Sequence, residues 1–231
     1  MINFARRVGF TYSFAAVVAA TACGSVATPA APRAANTDGA ASYKRIVVLG
    51  DSLAVSPSGS ENFPTELQKR ITGRSLQWTI TNAAIGGHTT ADGVRRLDDV
   101  LTDDTRILIL ELGANDGLRG INIPTVEKNL SSIIERAQER GVRVLLCGME
   151  TPPMNGWQYT LEFHNLFPRL AASYDVPLVP FLLAGVALNP EFNGADEIHP
   201  NALGARRIAE TVWPFVEALV QQEESAAVLP R

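Results

Sequence analysis

The feature that most constrains the fold of this chain is an alternation of continuous apolar segments with amphipathic segments, which begins at Tyr43. The apolar segments predict buried strands at residues 44–50, 76–85, 105–112, 142–149 and 176–183. The amphipathic segments predict helices at residues 63–72, 90–102, 123–141, 161–175 and 202–224. Strands that are apolar on both faces require helices on both faces. The pattern therefore predicts an α/β fold, a three-layer α/β/α sandwich around a five-stranded parallel sheet.

The first 22 residues have the composition of an export signal. A pair of arginines is followed by an apolar stretch, residues 8–20, which is too short to span a membrane comfortably. Two interpretations of its end remain open. An Ala-x-Ala pattern fits ordinary signal cleavage after Ala22, whereas the same residues resemble a bacterial lipobox, in which Cys23 receives lipid. Ala20 stands where a lipobox usually carries leucine.

Residues 23–42 are rich in Ala, Pro and small polar residues, a composition that builds no core and is typical of a tether. This favours the lipoprotein interpretation. We therefore divide the chain into a signal peptide (1–22), a flexible tether (23–42), a single globular domain (43–224) and a C-terminal tail (225–231). With either interpretation the domain works outside the cytoplasm, in the bacterial cell envelope or secreted, and we expect it to be lipid-anchored.

Four polar stretches are expected to meet at one edge of the sheet, because parallel sheets bind ligands at the carboxyl ends of their strands. They are GDSLA (50–54), NAAIGGHTT (82–90), LGANDGLRG (112–120) and DEIHPN (196–201). Together they contain the residue types that an acyl transfer needs.

A serine hydroxyl becomes a nucleophile when a histidine takes its proton and a carboxylate orients that histidine. Ser52 and His199 fit these two roles, and Asp196 fits the third, although the neighbouring Glu197 is also able to orient the ring. The tetrahedral intermediate needs hydrogen-bond donors. The side-chain amide of Asn115 and the backbone N–H of Gly87 are the candidates.

These stretches resemble the SGNH (GDSL) hydrolase superfamily, most closely its bacterial thioesterase, lysophospholipase and arylesterase branch. The matching blocks are Gly50-Asp51-Ser52-Leu53, the second-block glycine Gly87, Gly113-Ala114-Asn115-Asp116 and Asp196-Glu197-Ile198-His199-Pro200. The resemblance covers residues 44 to about 220 and implies a flavodoxin-like SGNH hydrolase fold. It also implies catalysis by Ser52, His199 and Asp196. The implied oxyanion hole consists of the backbone N–H groups of Ser52 and Gly87 and the side chain of Asn115.

The resemblance also indicates residues that border the substrate. The branch commonly carries an acid where His88 stands, so we expect His88 to contact the rim of the substrate rather than to act in catalysis. The loop after the oxyanion asparagine shapes acyl-chain access in this branch, which makes Leu118 and Arg119 substrate-binding candidates. Gly86 is the alternative oxyanion donor if the glycine pair is shifted by one position.

The sequence thus predicts a serine esterase that hydrolyses carboxylic esters and thioesters through an acyl-enzyme on Ser52. Aryl esters, short or medium acyl esters and lysophospholipids are the expected substrates, and the chemistry requires no cofactor. Two alternatives stay open. One is a carbohydrate O-deacetylase of the cell envelope, and the other is a non-catalytic surface binding module.

The composition also limits the partners. A net charge of −4 without a basic stripe makes nucleic acid an unexpected partner. The three histidines and the cysteines lack the spacing of metal ligands, so we expect no metal site. Cys147 lies in a buried-strand pattern and is expected to be a core thiol. The expected partner is a small-molecule or lipid ester, and the membrane is reached only through a lipid on Cys23.

Overall fold

The computed structural model describes residues 43–228. The predicted signal peptide, the predicted tether and Cys23 lie outside the described residues, as do residues 229–231. The strands are β1 (Lys44–Gly50), β2 (Trp78–Asn82), β3 (Thr105–Glu111), β4 (Arg143–Cys147) and β5 (Leu178–Val179). The helices are α1 (Phe63–Gly73), α2 (Thr90–Val100), α3 (Ala114–Leu118), α4 (Ile123–Glu139), α5 (Trp157–Tyr174) and α6 (Ala202–Val228).

The five strands form one parallel sheet in the order β2-β1-β3-β4-β5. In β1, residues 46–50 are all buried, and in β3 residues 107–111 are all buried. Consecutive buried residues point to opposite faces of a sheet, so both faces must be covered. Helix α1 packs against α6, while α4 packs against both α2 and α5. These observations confirm the predicted α/β fold with a five-stranded parallel sheet.

Helix α4 shows how the pattern of apolar residues produces this packing. Its buried side chains recur every three to four positions, which places them on one face of the helix. They are Ile123, Val126, Leu130, Ile133, Ile134 and Ala137. Each fully buried aliphatic side chain of this size contributes about 1.5–3 kcal/mol relative to an exposed one. The helix ends before Gly141, whose φ of +71° is a conformation that glycine adopts without strain.

The last strand is much shorter than the sequence predicts. We expected a strand at residues 176–183, but β5 contains only Leu178 and Val179. Pro177 and Pro180 flank it, and a proline has no N–H to donate to a neighbouring strand. The backbone still joins the sheet on either side, since the Pro177 carbonyl accepts a hydrogen bond from the Leu146 N–H.

Helix α5 differs from the expectation at its start and at its proline. It begins at Trp157 instead of residue 161, directly after Gly156, whose φ is +92°. It also continues through Pro168, although proline usually kinks or breaks a helix. Proline removes one backbone hydrogen bond and crowds the carbonyl four residues earlier, so packing has to hold the helix together here. The buried residues Phe163 and Leu170 on either side of Pro168 anchor the helix to the core.

Helix α6 continues to Val228, so the first four residues assigned to a C-terminal tail belong to this helix. A short helix that the sequence did not predict, α3, follows β3 within the LGANDGLRG stretch. No helix within residues 43–228 combines the length and the apolar character that a membrane span requires.

Candidate active site

Ser52 lies directly beyond the carboxyl end of β1, at the start of a single 3-10 turn, Ser52–Ala54. The carboxylate of Asp51 accepts a hydrogen bond from the Leu53 N–H at 3.0 Å and so caps this turn. The Ser52 carbonyl accepts hydrogen bonds from the N–H groups of Val55 and Ser56. Ser52 is half-buried. The turn therefore ends the strand and leaves the Ser52 hydroxyl at the rim of the sheet.

His199 and Asp196 lie in the loop between β5 and α6. The loop is closed by a bridge between Asn193 and Pro200 and by a bond from the Gly194 N–H to the His199 carbonyl at 2.8 Å. Asp196 Oδ1 accepts the backbone N–H groups of Ile198 and His199 at 3.1 and 3.0 Å. Asp196 Oδ2 lies 2.6 Å from His199 Nδ1.

The bonds from His199 hold the pKa of Asp196 well below its usual range. The carboxylate is therefore ionised at neutral pH, and it fixes the proton of the imidazole on Nδ1. Glu197, the alternative orienting acid, is exposed and makes no hydrogen bond to His199 within the described part of the chain. Of the two acids, Asp196 is the one in contact with the ring.

His199 Nε2 lies 2.8 Å from Ser52 Oγ, although 147 positions separate the two residues. With the proton of the ring on Nδ1, Nε2 accepts the hydrogen bond that the Ser52 hydroxyl donates. The structure thus brings together all three residues that the sequence singled out for nucleophilic chemistry. Asp196, His199 and Ser52 form one continuous hydrogen-bonded row.

The glycine pair after β2 lies beside Ser52. A Cβ atom on Gly86 would be 3.7 Å from the Ser52 Cβ, which is ordinary contact. Gly87 has a φ of +77°, which glycine adopts without the strain that other residues would incur. Across residues 43–228 the N–H groups of Ser52, Gly86 and Gly87 all lack an acceptor. The N–H groups of both glycines are therefore available to a substrate oxygen.

Asn115 stands in the first turn of α3. Its Nδ2 donates to Asp51 Oδ2 at 3.0 Å and to the His88 carbonyl at 3.1 Å. Both N–H groups of the amide thus have protein acceptors. The amide borders the site, and a substrate oxygen would have to take over one of these two bonds.

The three predicted substrate-binding residues are placed differently. Leu118 is 40% exposed on α3 and presents an apolar surface. The His88 side chain is half-buried, and it is the backbone carbonyl of this residue that faces Asn115. Arg119 is exposed, but its Nη2 donates to the Gly87 carbonyl at 2.9 Å. Arg119 therefore contacts the glycine pair.

Two buried acids beneath the site take part in backbone hydrogen bonds. Burial raises the pKa of Asp51 to about 6, against the lowering effect of its hydrogen bonds. Asp116 accepts the N–H and hydroxyl of Thr90 at 2.9 and 2.6 Å, which joins α3 to the start of α2. Burial also raises the pKa of Asp116. These acids support the elements that carry Ser52 and Asn115.

Sequence reasoning missed Glu111, the last residue of β3, which is fully buried and accepts the Asp51 N–H at 3.0 Å. A charged residue at the end of an otherwise apolar strand was the available signal. Within residues 43–228, no three His, Cys, Asp or Glu side chains are grouped to hold a metal ion. Cys147 is buried in β4, as expected for a core thiol.

Comparisons with known proteins relate both the fold and the sequence of the site to one family. The sequence model of the GDSL-like lipase/acylhydrolase family matches residues 48–207. The chain is 35% identical to the esterase TesA of Pseudomonas aeruginosa over 183 residues, 78% of this chain and 91% of that protein. It is 32% identical to thioesterase 1/protease 1/lysophospholipase L1 of Escherichia coli K12 over 187 residues, 80% of this chain and 88% of that protein.

A solved structure gives the same result at the level of the fold. The psychrotrophic esterase EstA from Pseudoalteromonas sp., in a crystal structure inhibited by monoethylphosphonate, superimposes with a TM-score of 0.73. The sequences are 25% identical, and the match covers 77% of this chain and 99% of that chain.

Proposed function

Since this chain belongs to the GDSL-like lipase/acylhydrolase family, we propose that Ser52, His199 and Asp196 are the catalytic triad of a serine esterase. One observation carries the proposal. The row from Asp196 Oδ2 through the imidazole to Ser52 Oγ is continuous, with distances of 2.6 and 2.8 Å. These are the distances at which a base takes a proton and an acid orients that base.

The acylation step follows from this row. Ser52 Oγ attacks the carbonyl carbon of the ester while His199 Nε2 takes the hydroxyl proton. The imidazolium is stabilised by the ionised Asp196 carboxylate, and it then gives the proton to the leaving alcohol or thiol as the bond to the acyl carbon breaks. In deacylation His199 takes a proton from water, the hydroxide adds to the acyl carbon, and Ser52 regains its proton as the acid leaves.

The negative charge that develops on the carbonyl oxygen needs donors that are already in place. We assign this role to the N–H groups of Ser52 and Gly87 and to the Asn115 amide. The two backbone groups support the assignment because they lack an acceptor within residues 43–228. The Asn115 amide contributes by exchanging its 3.1 Å bond to the His88 carbonyl for one to the substrate oxygen.

The proposed substrates are small-molecule or lipid esters: aryl esters, short and medium acyl esters, lysophospholipids and acyl thioesters. The relatives named esterase and thioesterase 1/protease 1/lysophospholipase L1 support this range. The exposed apolar surface of Leu118, three residues after Asn115, is suited to contact an acyl or aryl group. No cofactor takes part in any step.

A covalent label tests the proposal. The wild-type protein is treated with a p-nitrophenyl ethylphosphonate, and intact mass followed by peptide mapping locates the adduct. We expect a single adduct, on Ser52, and a loss of p-nitrophenyl butyrate hydrolysis that follows the extent of labelling. Ser52→Ala should form no adduct and should not hydrolyse the ester. Ser60→Ala is the matched control, because Ser60 is exposed and outside the row. A Ser52→Ala variant with wild-type activity, or a folded wild type that forms no adduct, would refute the proposal.

A substrate panel separates the ester classes. Initial rates are compared for p-nitrophenyl esters of increasing chain length, lysophosphatidylcholine, an acyl thioester and acetylated xylo-oligosaccharides. We expect the aryl, acyl or thioester substrates to have the higher kcat/KM. A preference for the acetylated sugars would instead support an O-deacetylase.

We also propose that the domain acts outside the cytoplasm, anchored by lipid on Cys23. The support is in the sequence: an apolar stretch before Ala-Thr-Ala-Cys and an Ala/Pro-rich segment after it. Intact mass of the protein from the membrane fraction of the producing bacterium should show diacylglycerol on Cys23. Cys23→Ser should release the protein from that fraction with its esterase activity retained. A wild-type chain that is found only without lipid would contradict the anchor.

A further inference from the structure

Glu111 is a fully buried carboxylic acid that lies directly beneath the nucleophile turn. Its Oε2 accepts the Asp51 N–H at 3.0 Å, and its Oε1 is buried with no hydrogen-bond partner among residues 43–228. Gly50 stands opposite Glu111 in the β1–β3 ladder. A Cβ atom on Gly50 would lie 2.2 Å from Glu111 Oε2, so only glycine fits at this position of β1.

The bond from Asp51 to Glu111 belongs to a chain of contacts that reaches two groups of the site. The backbone of Asp51 is bonded to Glu111, while its carboxylate accepts from the Leu53 N–H and from Asn115 Nδ2. The first of these carboxylate bonds caps the turn that begins with Ser52. The second fixes the side chain of Asn115. A shift of Asp51 would therefore move the nucleophile and the oxyanion amide together.

The environment of Glu111 favours its neutral form. Burial raises the pKa of Glu111 well above its usual value, and the charge of Asp51 raises it further. None of the ion pairs within residues 43–228 includes Glu111. A neutral carboxylic acid still offers its carbonyl oxygen as an acceptor to the Asp51 N–H.

We propose that Glu111 is a positioning residue for this esterase site: its carboxyl oxygen accepts the Asp51 N–H and so fixes Asp51 and, through it, Ser52 and Asn115. The inference rests on the proposed function of Ser52. A carboxyl group that only filled space in the core would affect stability and leave the chemical step unchanged. A positioning residue affects the chemical step even when the protein is folded.

Three substitutions separate these roles. Glu111→Gln keeps a carbonyl acceptor at the same reach and cannot ionise. Glu111→Asp keeps a carboxyl group but withdraws it from the Asp51 N–H by one methylene. Glu111→Leu keeps the approximate volume and removes the acceptor. For each variant we would measure kcat and KM with p-nitrophenyl butyrate, the rate of Ser52 phosphonylation, and the midpoint of thermal unfolding.

We expect Glu111→Gln to keep kcat within about threefold of the wild type, because the acceptor remains. Glu111→Asp and Glu111→Leu should lower kcat and the phosphonylation rate by roughly 10- to 100-fold, since misplacement of a reacting group by about 1 Å has an effect of this size. KM should change little, because the substrate contacts are not altered. Restoration of activity by glutamine but not by aspartate would identify the acceptor as the relevant property.

The inference is refuted if Glu111→Asp or Glu111→Leu folds and keeps the wild-type kcat. It is equally refuted if Glu111→Gln loses as much activity as Glu111→Leu, since a neutral acceptor would then be insufficient. Should Glu111→Leu fail to fold, Glu111→Asp decides the outcome. A wild type without activity or adduct formation would refute the proposed function instead, so the two failures are distinguishable.

Discussion

The guanidinium of Arg119 donates a hydrogen bond to the carbonyl of Gly87, with Nη2 and the oxygen 2.9 Å apart. Gly87 has a φ of +77° and carries one of the N–H groups that we assign to the oxyanion hole. The bond restrains the peptide that follows Gly87 and links the loop after β2 to the loop after α3. Arg119 was expected to bind substrate, and this contact gives it a second role, in holding the glycine pair in place.

Arg119→Ala should therefore lower kcat by about tenfold with a smaller change in KM, since one charge-assisted hydrogen bond is worth roughly 1.5 kcal/mol. Arg119→Lys should have an intermediate effect, because lysine donates from a single point. Steady-state kinetics with an uncharged p-nitrophenyl ester measures both constants. Asn122→Ala is the control for general disturbance of the loop, because Asn122 is exposed in the same loop and its side chain makes no capping hydrogen bond. A rise in KM alone would mean that Arg119 binds the substrate directly.

Asn115→Ala should reduce kcat by roughly 100- to 1000-fold, the usual effect of removing one oxyanion-hole donor. The substitution also removes a donor to Asp51, so the loss must be separated from a folding defect. Circular dichroism and the midpoint of thermal unfolding provide that control. If Asn115→Ala were folded and still active at the wild-type level, the two backbone N–H groups would be sufficient for the oxyanion.

Asp196 and Glu197 are adjacent acids in the loop that carries His199, and they form a matched pair for mutation. Asp196→Asn should lower kcat by roughly 10²- to 10⁴-fold, because an amide no longer holds the ring in the tautomer that accepts from Ser52. Glu197→Gln should leave kcat unchanged, because Glu197 makes no hydrogen bond to His199 within the described part of the chain. Both residues are exposed, so neither change should alter the unfolding midpoint much. Loss of activity in Glu197→Gln would reverse the assignment.

Much of the fold was predictable because the residues of the central strands are buried on both faces. Such strands appear in the sequence as unbroken apolar runs, and residues 105–112, predicted as a strand, became β3 over Thr105–Glu111. The end of the sheet was less predictable. In β5 the prolines on either side of Leu178 and Val179 cannot donate hydrogen bonds to a neighbouring strand. How far β5 extends therefore depends on the hydrogen bonds that its other residues make to β4.

The site was predictable at the level of residue types and their order. Ser52, His199 and Asp196 follow from the chemistry of acyl transfer, and the structure brings their side chains together. The contacts of Arg119 and Glu111 were not predictable, because they depend on side-chain reach across separate loops. The signal peptide, the tether and lipid on Cys23 remain predictions of the sequence.

Asp51 and Asp104 have pKa values that are shifted in opposite directions, so the stability of the fold depends on pH through both acids. Burial raises the pKa of Asp51 from 3.8 to about 6. The hydrogen bond from Arg45 is the main cause that lowers the pKa of Asp104 from 3.8 to about 2. The unfolded chain binds fewer protons than the folded one at Asp51 and more at Asp104, so the two acids have opposite effects on stability as pH changes.

The raised pKa of Asp51 stabilises the folded state fully below about pH 4. This contribution to the free energy of unfolding, roughly 3 kcal/mol, is lost as pH rises through about 6. The lowered pKa of Asp104 stabilises the folded state above about pH 4, and this stabilisation is lost as pH falls towards 2. The Arg45–Asp104 ion pair is one-third exposed, so its contribution to stability is about 1 kcal/mol or less. Urea unfolding of the wild type, Asp51→Asn and Asp104→Asn between pH 3 and pH 7 gives the free energy of unfolding at each pH. Relative to wild type, Asp51→Asn should become more stable as pH rises from 4 to 7, whatever its absolute stability. Asp104→Asn should be less stable than wild type at pH 7, and this difference in the free energy of unfolding should shrink as pH falls below 4. If the difference between a variant and wild type did not change with pH, the pKa shift of the substituted acid would be contradicted.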